Sequence, residues 1–170
     1  GDTNASGVIT TRNGGTVHLG TLVGNGTVAG AGGATGTATF SVGARNEDSV
    51  FGGVIQDSNT VDRRAALTKI GTGKLTLTGA NNYTGNANVS AGTLARGDGG
   101  TTGTLALTNI AVTSNLVFNT SGTQTIPGVI SGPGNVTKKG TRTTILNGVN
   151  TFSVDAFIER LEVGIRHDAR

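Results

Sequence analysis

LTKIGTGKLTLTGANNYTGNANVSAGTL, residues 67–94, is the stretch on which the reading of this 170-residue chain turns. It strings together very short alternating segments, such as Leu75 and Leu77 around Thr76, broken every few residues by Gly or Asn. Alternation over so few residues suits half-buried strands, and the Gly and Asn clusters suit tight turns. The stretch also recurs. Leu67, Gly71, Leu77, Gly79, Asn81, Tyr83, Val89 and Leu94 map, each shifted by 69, onto Val136, Gly140, Leu146, Gly148, Asn150, Phe152, Ile158 and Val163. Upstream, Phe51-Gly-Gly-Val-Ile55 maps onto Ile126-Pro-Gly-Val-Ile130 with a shift of 75. The difference, about six residues, falls around Ser58–Arg64 and reads as a surface loop inserted without loss of register.

A partial third copy opens the chain, where Leu22, Gly24, Gly26 and Val28 match Ile130, Gly132, Gly134 and Val136. The expected organisation over 1–170 is one continuous solenoid without a domain boundary. It holds a partial repeat over 16–55, a full repeat over 51–94 and a second over 116–163. Between the full copies, the pairs Leu105/Leu107, Ile110/Val112 and Leu116/Phe118 read as inward residues of further short strands.

Residues 68–85 (TKIGTGKLTLTGANNYTG) followed by 89–94 (VSAGTL) closely resemble the passenger-associated repeat of bacterial autotransporters. The resemblance implies an all-β fold, a single-stranded right-handed parallel β-helix displayed at, or released from, the surface of a Gram-negative cell after periplasmic transit. It implies the rest of a passenger and a membrane β-barrel as partners. It also leaves open contact with a host-cell surface or extracellular matrix. Two departures stand out: Leu75 is replaced by Thr144, and the turn at Gly92 by Leu161.

Composition agrees with a thin-cored rod. Aliphatic, aromatic and sulfur side chains make up 34 %, and thirty glycines add much of the remaining apolar share with little side-chain volume. Roughly seven or eight coils of ~20–24 residues, stacked ~4.8 Å apart, would give a rod ~35 Å long. There is no cysteine, so stacking rather than disulfides must stabilise the chain. The chain also lacks Met, even at position 1, so a fragment or processed product is expected. No apolar run is long enough for a transmembrane helix, and no signal peptide is recognised. The charge-dense stretch 157–170 has two readings, a terminal cap over open strand edges or a final coil with a frayed basic tail, the second being preferred.

Enzyme chemistry finds little footing, and no cofactor or metal is expected. Gly71-Thr-Gly-Lys74 looks like a phosphate loop, yet Thr68 and Leu75 occupy places where that motif needs Gly and Ser or Thr. His18 and His167 lie at opposite ends without partners at ligand spacing. Carboxylates are scattered, unlike the paired acids of glycan-cleaving solenoids. The formal charge of +3 is too diffuse, and aromatics at 4 % too few, for nucleic acid. What remains is a structural stalk that promotes secretion, or an adhesive surface working through loops 43–50, 56–66 and 95–103. The candidate contact residues are Arg63 and Arg64, with Arg96, Gly97 and Asp98, which form an Arg-Gly-Asp tripeptide inside a Gly-rich turn.

Overall fold

The computed structural model describes residues 7–33, 35–105, 109–141 and 143–152. Among these the regular elements are all short strands, paired in parallel, and the chain winds past three faces in turn. The first face is a seven-stranded sheet of Gly15–Leu19, Gly36–Val42, Arg63–Lys69, Ala87–Val89, Ile110–Val112, Ile130–Gly132 and Thr151–Phe152. The second comprises Ser49–Phe51, Lys74–Leu77, Thr93–Arg96, Asn115–Phe118 and Asn135–Lys138. The third carries Val8–Ile9, Thr27–Ala29 and Val54–Gln56 at one end, and Gln124–Ile126 with Thr144–Leu146 at the other. Irregular chain around Asn81 and Thr104 continues that third face between the two groups. There, Asn82 N–H donates to Ile55 O (3.0 Å) and Thr104 N–H to Gly79 O (3.0 Å). The architecture is an all-β parallel solenoid of about six turns.

Parallel in-register stacking turns the two-residue alternation of each strand into columns. On the first face, Val17, Phe40, Leu67, Ala87, Ile110 and Ile130 stack inward. The neighbouring outward column is His18, Ser41, Thr68, Asn88, Ala111, Ser131 and Thr151. On the second face, Leu75, Leu94, Leu116 and Val136 form an inward column. These columns merge into one core with Val28, Phe51, Ile55, Tyr83 and Leu105. Each buried Leu or Ile in it contributes about 1.5–3 kcal/mol relative to an exposed one. The expected inward sets Ala38/Phe40/Val42, Ile110/Val112 and Leu116/Phe118 are all buried, as is Leu105; Leu107 lies outside the described residues.

Coil length varies. Phe40 pairs with Leu67, 27 residues on, whereas Leu67 pairs with Ala87 after 20, and Ile110 with Ile130 after 20. The long coil contains the loop around Ser58–Arg64. Because coils differ in length, a shift of 69 is not a whole number of turns. Leu67 stacks through Ala87 and Ile110 to Ile130 on the first face, while its sequence equivalent Val136 lies on the second, and Val28 on the third. The three copies therefore begin on three different faces, each with its leading residue buried. The C-terminal segment 157–170 lies outside the described residues.

Candidate functional site

Corners of a solenoid break the strand ladder, so their backbone groups need other partners. At the third face Asn81 supplies them. Its Oδ1 accepts from Ile55 N–H (2.8 Å) in the preceding coil, and its Nδ2 donates to Gly79 O (3.2 Å) and to Thr104 O (2.8 Å) in the following one. Asn150, 69 residues later, accepts from Ile130 N–H (2.7 Å) and donates to Gly148 O (2.8 Å). The Gly-x-Asn element of the repeat is thus a clamp between coils. Its glycine is required by close approach: a Cβ at Gly79 would meet Gly53 O at 1.8 Å, and one at Gly148 would meet Gly128 O at 2.4 Å.

A second recurring device was not anticipated from the sequence. Lys69 and Lys138 occupy inward positions, buried, and turn their ammonium groups onto corner carbonyls. Lys69 Nζ donates to Ile70 O (2.5 Å), Gly71 O (2.9 Å) and Ala91 O (3.3 Å), and Lys138 Nζ to Gly140 O (2.5 Å). Burial holds both ammonium groups below the ordinary lysine value, with Asp48 opposing that shift at Lys69. The signal was present in the alternation itself: Leu67-x-Lys69, Leu94-x-Arg96 and Val136-x-Lys138 each put a cation where the strand turns inward.

Arg96 is the third of these. It pairs with Leu77 and Phe118 in the inward column, is 5 % exposed, and donates from Nε to Gly103 O (3.0 Å). Burial lowers its guanidinium to about 10. The Arg-Gly-Asp tripeptide is therefore split: Arg96 faces the core, Gly97 turns the chain at φ +76°, and only Asp98 is exposed, its carboxylate accepting from Gly100 N–H (3.2 Å). Loop 43–50 is likewise occupied with its neighbour. Asn46 Oδ1 accepts from Thr72 N–H (3.0 Å), and Asp48 Oδ1 from Lys74 N–H (2.7 Å).

Arg63 and Arg64 lie together at the start of a first-face strand and point apart. Arg63 reaches back to Gly32 O (Nη1, 2.8 Å) and Gly33 O (Nη2, 3.4 Å), while Arg64 is exposed. His18 is exposed on the outer face of the same sheet; His167 lies outside the described residues. Among the described residues no group of three or more His, Cys, Asp or Glu side chains is placed to hold a metal, and no helix is long and apolar enough to cross a membrane.

These features define a class: a parallel β-solenoid whose corners are clamped by repeated Gly-x-Asn and buried-cation elements. Comparison with known proteins gives the family of the repeat. Residues 67–95 and 136–153 match the passenger-associated-transport-repeat, so this chain is an autotransporter passenger segment carrying that repeat. Over 97 residues, 56 % of the chain, it is 38 % identical to the adhesin BmaC autotransporter of Brucella suis biovar 1 (strain 1330), of which it spans 3 %. No solved structure matches it.

Proposed function

We propose that the chain is a structural, secretion-promoting stalk of a surface-displayed passenger, non-catalytic, and continuous in its parent with further passenger and a membrane β-barrel. The observation that carries this reading is the bond pattern of Asn81, which ties the coil before it to the coil after it. Clamps of this kind let a formed coil template the next. A rod that adds apolar burial and backbone pairing coil by coil favours movement of its chain toward the folded end.

A second reading, adhesion through the side of the rod, is favoured by two observations. The relative is named an adhesin, and the 27-residue coil carries an insertion where neighbouring coils manage with 20.

Register supplies a sharp test in the parent protein. Val50, Thr76 and Ala95 stack on the second face, as do Phe51, Leu77 and Arg96. Deleting 51–95 therefore joins equivalent positions and removes two coils, whereas deleting 51–94 slips the register by one residue and turns inward side chains outward. On the stalk reading, the in-register deletion keeps both surface passenger and attachment to host cells or matrix, while the slipped deletion loses surface passenger. Retained display with lost attachment in the in-register variant assigns adhesion to these coils instead. Equal surface display of both variants would show that stacking does not drive export, and would sink the stalk reading.

A further inference from the structure

The insertion in the long coil is held more firmly than a spacer loop requires. Asp57 Oδ1 accepts from Ala65 N–H (2.8 Å) and Thr84 N–H (3.1 Å), and its Oδ2 from the Thr84 hydroxyl (2.6 Å), one coil on. Ser58 N–H donates to Arg63 O (3.0 Å), and Arg63 staples the loop base to Gly32 and Gly33, one coil back. Asp62, at φ +64°, bends the chain back into the strand, a conformation that costs a non-glycine residue energy unless its surroundings impose it. The loop is thus anchored to both neighbouring coils before any ligand arrives.

Two depressions, of about 280 and 340 Å³, meet at Arg64 and Thr84, one on the outer surface of the first face and one along the loop. In the first, Thr37, Thr39, Asn86, Asn88 and Arg64 surround a floor of Ala66 and Gly85. Small floor residues let a ligand ring lie close to the sheet. Rungs ~4.8 Å apart and alternate residues ~6.8 Å apart along a strand set the hydroxyls and amides on a grid of sugar-ring dimensions. Asp57 is spent on its backbone partners, and among the described residues no carboxylate pairs with the Arg64 guanidinium. A guanidinium left open in this way selects a planar or tetrahedral oxyanion, which it grips with two parallel hydrogen bonds. The lining has no aromatic ring for stacking bases and no apolar pocket for peptide side chains.

We infer that the cleft centred on Arg64, walled by the Asp57–Asp62 loop, binds an anionic saccharide, its carboxylate or sulfate on Arg64 and its hydroxyls on Thr37, Thr39, Asn86 and Asn88. This deepens the adhesive reading but does not depend on it, since a stalk can also carry a glycan site. One cation and no aromatic platform make the single site weak, roughly millimolar, so adhesive strength would come from many copies.

The test uses the 170-residue chain, titrated by NMR or calorimetry with a sulfated heparin tetrasaccharide, a carboxylated hyaluronan tetrasaccharide, a neutral dextran oligosaccharide and inorganic sulfate. At least one anionic tetrasaccharide binds, dextran and sulfate alone do not, and Arg64→Gln weakens binding at least tenfold. Asn88→Asp, which brings a negative charge into the cleft, weakens it similarly, and Lys139→Gln, on another face, leaves it unchanged. All these side chains are exposed, so circular dichroism of each variant matches the parent. Three results would each overturn the proposal: no anionic saccharide binding; binding equally sensitive to Lys139→Gln and Arg64→Gln, meaning bulk charge; or sulfate binding as well as the tetrasaccharides, meaning a plain anion site.

Discussion

The side-chain oxygen of Asn81 sits 2.8 Å from the backbone nitrogen of Ile55, standing in for the carbonyl that a strand partner would have offered. With its amide nitrogen on Gly79 and Thr104, this one buried side chain satisfies a donor in one coil and acceptors in its own and the next. The repeat preserves the arrangement at Asn150 and Ile130, although that copy lies on another face of the rod. Local chemistry, rather than position around the axis, is what the repeat carries.

Asn81→Ala leaves Ile55 N–H and Thr104 O without these partners in a buried corner. An unsatisfied buried polar group costs about 1–3 kcal/mol, so the variant should lose about 2–4 kcal/mol in urea unfolding. Asn81→Asp keeps an acceptor for Ile55 but loses both donors and buries a charge, and should unfold at still lower urea. Equal stability of parent and Asn81→Ala would show that the clamp contributes nothing.

Gly79→Ala drives a methyl group into Gly53 O, which no side-chain rotation relieves. Rigid backbone on both sides makes this an overpacking change of about 3 kcal/mol or more. Gly122→Ala is the matched control, since its Cβ meets only Thr101 O at an ordinary 3.6 Å. Thermal unfolding should separate the two variants by many degrees.

Thr144 occupies the place of Leu75 and is buried with no hydrogen-bond partner for its hydroxyl among the described residues. Thr144→Val keeps the shape and removes that unsatisfied group. A gain of about 1 kcal/mol is expected by denaturant titration. A loss would reveal a partner for the hydroxyl.

The buried ammonium groups of Lys69 and Lys138 give stability an unusual pH dependence. Their folded values lie below the ordinary 10.5 of the unfolded chain, so in that window the unfolded state binds more protons. Stability contributed by these groups therefore rises as pH climbs through the folded values and levels off above 10.5. Lys69→Met with Lys138→Met should flatten this rise between pH 8 and 10.5. At neutral pH the double variant should also be less stable by about 1–3 kcal/mol, because the corner carbonyls lose their donors. An unchanged slope would place the pH dependence elsewhere.

Much of this fold was legible in the chain because its determinants are local. Alternation at Ala38/Phe40/Val42 and Leu75/Leu77 named inward residues, and the Gly-x-Asn spacing marked corners. The mismatch between shifts of 69 and 75 located the inserted loop, which the structure finds as a 27-residue coil. The candidate contact residues were harder to read. Arg63, Arg64 and Arg96 are alike as letters, yet one staples a loop, one is exposed and one is buried. The alternation that buries Leu94 buries Arg96 as well, and a charged residue two positions along a strand is easily mistaken for a surface one.

By itself the sequence determined the kind of coil, because a strand's inward face and a corner's glycine and asparagine are encoded within a few residues. Tertiary structure alone decided where each coil points. Leu67, Val136 and Val28 are equivalent in sequence and lie on three different faces, because turn lengths of 20 to 27 residues accumulate along the rod and no local pattern records their sum. The same accumulation brings Arg64 beside Thr37 from the coil before and Asn86 from the coil after, a juxtaposition that exists only once the chain has wound past itself.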